Sequence, residues 1–221
     1  MRAVATTILA AILTLGAIHA ARADEPSAAS PAEDEGLVAV KIKGLDHVWA
    51  RPGANLSAYD KIMIDPVEVS FRKDWKPDIA GGAITAAERQ SIKDGLAKIF
   101  RQELKKEIEG GGYPVVNTPQ SDVLRIRAEI RDLYINAPDV PRAGLTRVYA
   151  LSVGEMRLVA ELRDSSTGAL IARVIDLKRD PDAPWLHITS RVENVAAARR
   201  AIAEWAKILR KRLDAAHTIQ Q

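Results

Sequence analysis

The chain is 221 residues long, carries a formal net charge of +3, is 47% hydrophobic and has no cysteine. That length supports one domain with its own core. The missing thiols exclude disulfide bracing, cysteine-ligated zinc, thiol catalysis and a lipid anchor on an N-terminal cysteine.

Residues 1–23 read as a cleaved export signal. Met1-Arg2 is a short positive start, residues 3–18 are uncharged and apolar, and Ala21-Arg22-Ala23 is the small-x-small pattern that precedes cleavage. The apolar run is too short to span a bilayer comfortably. Cleavage removes Arg2 and Arg22 and takes the charge from +3 to +1. A nearly neutral mature chain argues against nucleic acid as a partner. With no second apolar stretch of membrane length, the exported product is expected to be soluble, without stable membrane insertion.

Residues 24–36 (DEPSAASPAEDEG) offer almost nothing to bury and are expected to be a disordered linker. Residues 37–42 suggest a short strand, and residues 44–57, with Pro52-Gly53, an irregular approach to the fold. Residues 59–71 form the first strong strand. Ile62 and Ile64 share one parity and Val67, Val69 and Phe71 the other, so a bulge or kink is predicted at Asp65-Pro66.

A long helix follows. Thr85 and Glu88 have capping-box spacing, and Ile92, Leu96, Ile99, Leu104 and Ile108 form one stripe that ends at Gly110-Gly111-Gly112. A short strand covers 113–116. In the long strand 123–135, Leu124, Ile126, Ala128 and Ile130 alternate with Arg125, Arg127, Glu129 and Arg131, with a second slip near Asp132. Residues 155–163 repeat the alternation, Asp164-Ser165-Ser166-Thr167-Gly168 turns the chain, and 170–177 return as the hairpin partner. Ser190 and Glu193 have capping-box spacing ahead of a closing helix striped by Val195, Ala198, Ile202, Trp205, Leu209 and Leu213.

This order predicts an α+β fold: a single mixed, mostly antiparallel sheet with two long amphipathic helices packed on one face. The domain is expected over 37–217, with 218–221 as a disordered tail.

Several of these segments resemble the bacterial domain-of-unknown-function family 3313. The carriers are the run from Leu56 to Val67 (LSAYDKIMIDPV), the strand Tyr113-Pro114-Val115-Val116, the hairpin Glu161-Leu162-Arg163-Asp164-Ser165 to Gly168, and the helix through Trp205 and Leu213. The resemblance spans 38–213. It implies an exported, envelope-associated bacterial protein with no established activity, and it carries over no catalytic residue. Many members are lipoprotein-like, a pattern from which a chain without cysteine departs. The loop 136–153 is also shorter and less glycine-rich than is usual.

Asp60, Asp65 and Glu68 flank the first slip, where a cation or an acid/base pair would need several oxygens around one point. No calcium-loop spacing is present, and turn and bulge architecture is the favoured account of them. Arg125, Arg127, Arg131, Arg157 and Arg163 suggest an anion-binding face, but interleaved Glu129, Glu155 and Glu161 suit cross-strand ion pairs on a solvated face. His47, His187 and His217 occupy unrelated contexts, so no metal and no cofactor are expected. Arg199, Arg200, Lys207, Arg210, Lys211 and Arg212 make the last helix basic on its polar side.

The expected contact surface is Trp75, Trp185 and His187 in two proline-bearing loops, because tryptophan favours interfaces; the competing role for each ring is to pin its loop to the core. The resulting expectation is a non-enzymatic periplasmic accessory or binding protein whose partner is another envelope protein. A periplasmic binder of a small molecule or anion on the arginine-bearing face is the alternative. An enzyme would need Asp65 and Glu68 in a pocket with a third polar group.

Overall fold

A computed structural model describes residues 35–75, 84–136, 152–179 and 191–218. The expected signal, most of the linker and the loops on either side of the 152–179 hairpin lie outside the described residues.

Eight strands, β1 (Val38–Val40), β2 (His47–Ala50), β3 (Lys61–Ile64), β4 (Glu68–Phe71), β5 (Val115–Val116), β6 (Val123–Asn136), β7 (Ser152–Asp164) and β8 (Leu170–Arg179), form one sheet. Its order is β1-β2-β8-β7-β6-β3-β5, with β4 continuing beside β6. Two helices, α1 (Ala86–Gly110) and α2 (Arg191–Thr218), complete the described fold. The β6–β7–β8 meander is antiparallel, and the pairs of β6 with β3 and β4 and of β3 with β5 are parallel. This is the α+β fold read from the alternation.

The first phase slip takes the form of a break. β3 runs beside residues 123–126 of β6, the chain leaves the ladder at 65–67, and β4 rejoins it beside 129–133. Pro66 has no N–H for a ladder bond, so an interruption lets the strand change parity without burying an orphan donor. At the second slip, Asp132 adopts φ 52° and the β6–β7 register shifts, which keeps both Ile130 and Leu133 fully buried.

The irregular approach expected over 44–57 needs correction. It contains β2, paired with β8, and a single 3₁₀ turn over Leu56–Ala58. Four residues are too few for a period to show, and the neighbouring Pro52-Gly53 masks them. β2 sends Val48 toward the helices and Trp49 to the opposite face, where Trp49 packs with Leu37 and Leu170.

Thr85 and Glu88 form the predicted capping box, with the Glu88 N–H donating to Thr85 Oγ1 at 3.2 Å and the Thr85 N–H to Glu88 Oε2 at 2.7 Å. All five stripe residues of α1 are buried, with Phe100 beside them. Gly112 takes the left-handed conformation past the helix end, φ 90°. Gly111 is there for space: a Cβ on it would lie 2.5 Å from Arg210 Cδ, part of a side chain crossing from α2 to Glu107. On α2, Ala198, Ile202, Trp205 and Leu213 of the predicted stripe are buried and Val195 and Leu209 half-buried. The second capping box, Ser190 with Glu193, lies outside the described side chains.

Candidate functional site

The helices do not close completely over the sheet. Between α2, the inner sheet face and the 40–56 segment lies a cavity of about 220 Å³. Its walls come from every layer: Phe100 and Leu104 of α1, Ile126, Leu158, Leu162 and Val174 of the sheet, and Ile202, Trp205 and Leu209 of α2. The opening exists because inward positions on adjacent strands, Ala50, Ala160 and Ala172, face Ala206 on α2. Alanine keeps the alternation and helix pattern intact but leaves unfilled the volume that leucine or isoleucine would occupy.

A turn at 42–46 roofs the cavity with Ile42 and Leu45. Gly44 in it has φ 90°, and a Cβ there would lie 3.2 Å from Ile208 Cδ1, so the turn sits close on α2. Asp176, 2% exposed, ties the parts together. Its Oδ1 accepts from the Asp46 N–H at 2.9 Å, and its Oδ2 accepts from Trp205 Nε1 at 2.7 Å with Lys178 Nζ at 3.4 Å. A buried carboxylate supplied with such partners fixes the Trp205 ring, a cavity wall. The lining residues exposed to solvent are Val40, Arg51, Ala54 and Arg212, which mark the mouth. Arg51 and Arg212 are also the lining residues with charge, and no acid among the described residues lines the cavity.

The sequence-expected candidates are located elsewhere. Trp75 is 4% exposed, its ring stacked on Phe71 at 4.2 Å and its Nε1 donating to the Ile135 carbonyl at 3.0 Å, with Arg89 over its face at 4.9 Å. A ring held that way anchors its loop and offers a partner no apolar patch, which corrects the exposed contact expected of it. Trp185 and His187 lie outside the described residues.

Asp60, Asp65 and Glu68 are not gathered around a point. Asp65 receives Arg125 at 2.9 Å and Arg127 at 3.8 Å, Asp60 accepts from His217 Nε2 at 3.1 Å, and Glu68 is exposed. His47 instead stacks on Trp49.

The arginine row is met by carboxylates. Arg131 pairs with Glu129, Arg157 with Asp132, Arg163 and Arg173 with Glu161, and Arg179 with Glu155. Burial raises the affinity of the Glu161 carboxyl for its proton, but the Arg163 and Arg173 guanidiniums outweigh it and hold Glu161 below the usual carboxylate range. The face therefore already carries its anions. On α2, Arg199 pairs with Glu103 and Arg210 with Glu107 and Asp214, so part of the basic side clamps the two helices together.

The hairpin turn holds one strongly perturbed acid. Asp164 Oδ1 accepts from the Thr167 N–H at 2.7 Å and the Ser166 N–H at 3.0 Å and from both hydroxyls, while Oδ2 accepts from Tyr59 Oη at 3.1 Å. The Thr167 backbone bond leads these in holding Asp164 well below the carboxylate range. Burial and the Asp164 bond push Tyr59 up to about 12. These groups lock a turn.

Sequence reasoning missed the cavity because each of its residues reads as ordinary core. The available signal was the run of alanines at inward positions of neighbouring strands.

Comparisons with known proteins bear on the family. The model of DUF3313, a family described as a protein of unknown function, matches residues 32–209. No curated protein matches the chain. Among solved structures the chain is similar to the PelC dodecamer from Paraburkholderia phytofirmans, with TM-score 0.38 and 11% identity over 74% of this chain and 96% of that one. It is also similar to a DUF330 protein from Xanthomonas campestris, with TM-score 0.39 and 12% identity over 70% and 87% of the two chains. A minor lipoprotein from Acinetobacter baumannii gives TM-score 0.36 and 14% identity over 71% and 94%. At scores of this size the likeness does not extend to ligands, partners or assembly.

Proposed function

This chain belongs to the DUF3313 family of proteins of unknown function, and on that premise we propose that it is an exported, non-enzymatic binding protein of the periplasm that holds an apolar small molecule between its helices and its sheet. The observation that carries this reading is the cavity of about 220 Å³ whose walls are aliphatic and aromatic apart from two arginines. An engineered apolar cavity of about 150 Å³ already suffices to bind benzene. The mouth gives access from solvent, which a packing defect sealed in the core would lack. Of the acids considered for catalysis, Asp65 is spent on Arg125 and Arg127, and Glu68 is exposed outside the cavity lining. Another envelope protein, the partner expected from the sequence, belongs to the same proposal as donor or acceptor of the ligand.

The test is uptake of N-phenyl-1-naphthylamine, an uncharged fluorophore that brightens in apolar surroundings. The purified chain is expected to bind it saturably with one site per chain, and Ala206→Leu is expected to abolish the signal while the urea unfolding transition stays cooperative. Ala172→Leu, which fills the space from the opposite wall, is the second variant should Ala206→Leu not fold. Absence of saturable uptake by the wild-type chain overturns the proposal, as does uptake unchanged in both folded variants.

A further inference from the structure

The charges at the mouth differ from the paired arginines of the sheet face and the helix–helix seam. On the sheet face and between the helices, arginines are matched to carboxylates. Arg51 is held differently: its Nε donates to the Leu170 carbonyl at 2.7 Å and its Nη2 to the Glu35 carbonyl at 3.3 Å. These are neutral acceptors, so the side chain is aimed while its charge stays uncompensated. Arg212, exposed on α2, has no partner among the described residues, and neither do Lys207 and Lys211 on the same helix. The lining is thus apolar at the inner end, and the charge at its rim, beside Val40 and Ala54, is cationic.

Such a site matches one kind of molecule. An uncharged apolar ligand would leave the cations without a counterpart, a cationic amphiphile would be repelled, and a small anion would gain nothing from the apolar walls. We infer that the ligand is an anionic single-chain amphiphile, its alkyl chain in the cavity and its carboxylate or phosphate head met by Arg51 and Arg212 at the mouth. This inference rests on the binding reading above and adds the ligand class to it.

The experiment is displacement of bound N-phenyl-1-naphthylamine by four molecules with the same alkyl chain, all below their micelle concentrations: dodecanoate, dodecyl phosphate, dodecanol and dodecyltrimethylammonium. At least one anion is expected to displace the probe at about tenfold lower concentration than dodecanol, the factor of one charge-assisted contact. Which anion competes better tells a fatty-acid head from a phosphate head. The cation is expected to be weakest, and added salt should narrow the spread. Arg212→Gln, at an exposed position, is expected to lose about half of that advantage on a logarithmic scale, roughly threefold, with the urea midpoint unchanged.

Equal displacement by dodecanol and both anions overturns the head-group inference while leaving the cavity reading intact. So does an anion advantage that survives in the Arg51→Gln/Arg212→Gln double variant. Failure of the probe itself to bind removes both readings. Probe uptake that falls as protein concentration rises places a second copy of the chain over the cavity and also overturns both.

Discussion

Asp164 shows how a single side chain can hold a distant part of the chain in place. Its carboxylate closes the β7–β8 turn through the Ser166 and Thr167 N–H groups and reaches Tyr59, 105 residues earlier, at 3.1 Å. The carboxyl is held below its unfolded value of about 3.9. Its stabilisation is therefore fully present above that value and is lost progressively as the pH falls below it. Tyr59, raised to about 12, contributes in the opposite sense: its share is complete below the unfolded tyrosine value of about 10 and is lost as the pH rises through 12. Asp164→Ala is expected to cost about 2 kcal/mol near neutral pH. In urea titrations the gap from wild type should stay constant across the neutral range and shrink below about pH 4. A gap independent of pH would mean that the turn owes little to the charge.

At the scale of elements, the first helix is built by rules visible in its letters. Thr85 and Glu88 satisfy each other's backbone donors, so Thr85→Ala is expected to lower stability by about 1 kcal/mol, read as a shift of the urea midpoint at constant slope. The long strands were legible for the same reason: Leu124, Ile126, Ala128 and Ile130 repeat often enough to fix which face is buried. The two parity slips were legible too, because Pro66 and Asp132 stand where the pattern changes. The four residues of β2 were not, since so short a run has no period and draws its pairing from β8, more than a hundred residues away. Trp75 illustrates a further limit. Its letter says that a large ring must be covered, and only the fold says that Phe71 and Arg89 cover it. The cavity was invisible for a related reason: apolar pattern reports direction, and volume emerges when alanines from separate elements meet.

For the molecule as a whole, that unfilled volume has a thermodynamic consequence. At about 24 cal/mol per Å³, a void of this size is worth at most about 5 kcal/mol, comparable with the entire net stability of many domains. Filling it should therefore show globally. Ala206→Leu is expected to raise the thermal midpoint of the ligand-free chain, by the several degrees that about 1 kcal/mol gives a domain of this size, and a saturating ligand should raise that of wild type by mass action. A calorimetric scan in which Ala206→Leu melts lower than wild type would show that the walls have already relaxed inward.

The buried carboxylate of Asp176 connects the roof turn, through the Asp46 N–H, to the inner wall, through the Trp205 indole. These two boundaries of the chamber are consequently joined at one carboxylate, and the roof turn is also pinned to β8 by the Leu177 N–H on Asp46 Oδ2 at 2.9 Å. On the proposed binding reading, residence time is set by polar contacts behind the greasy lining and not within it, so how long a guest stays and how tightly it is held can evolve separately.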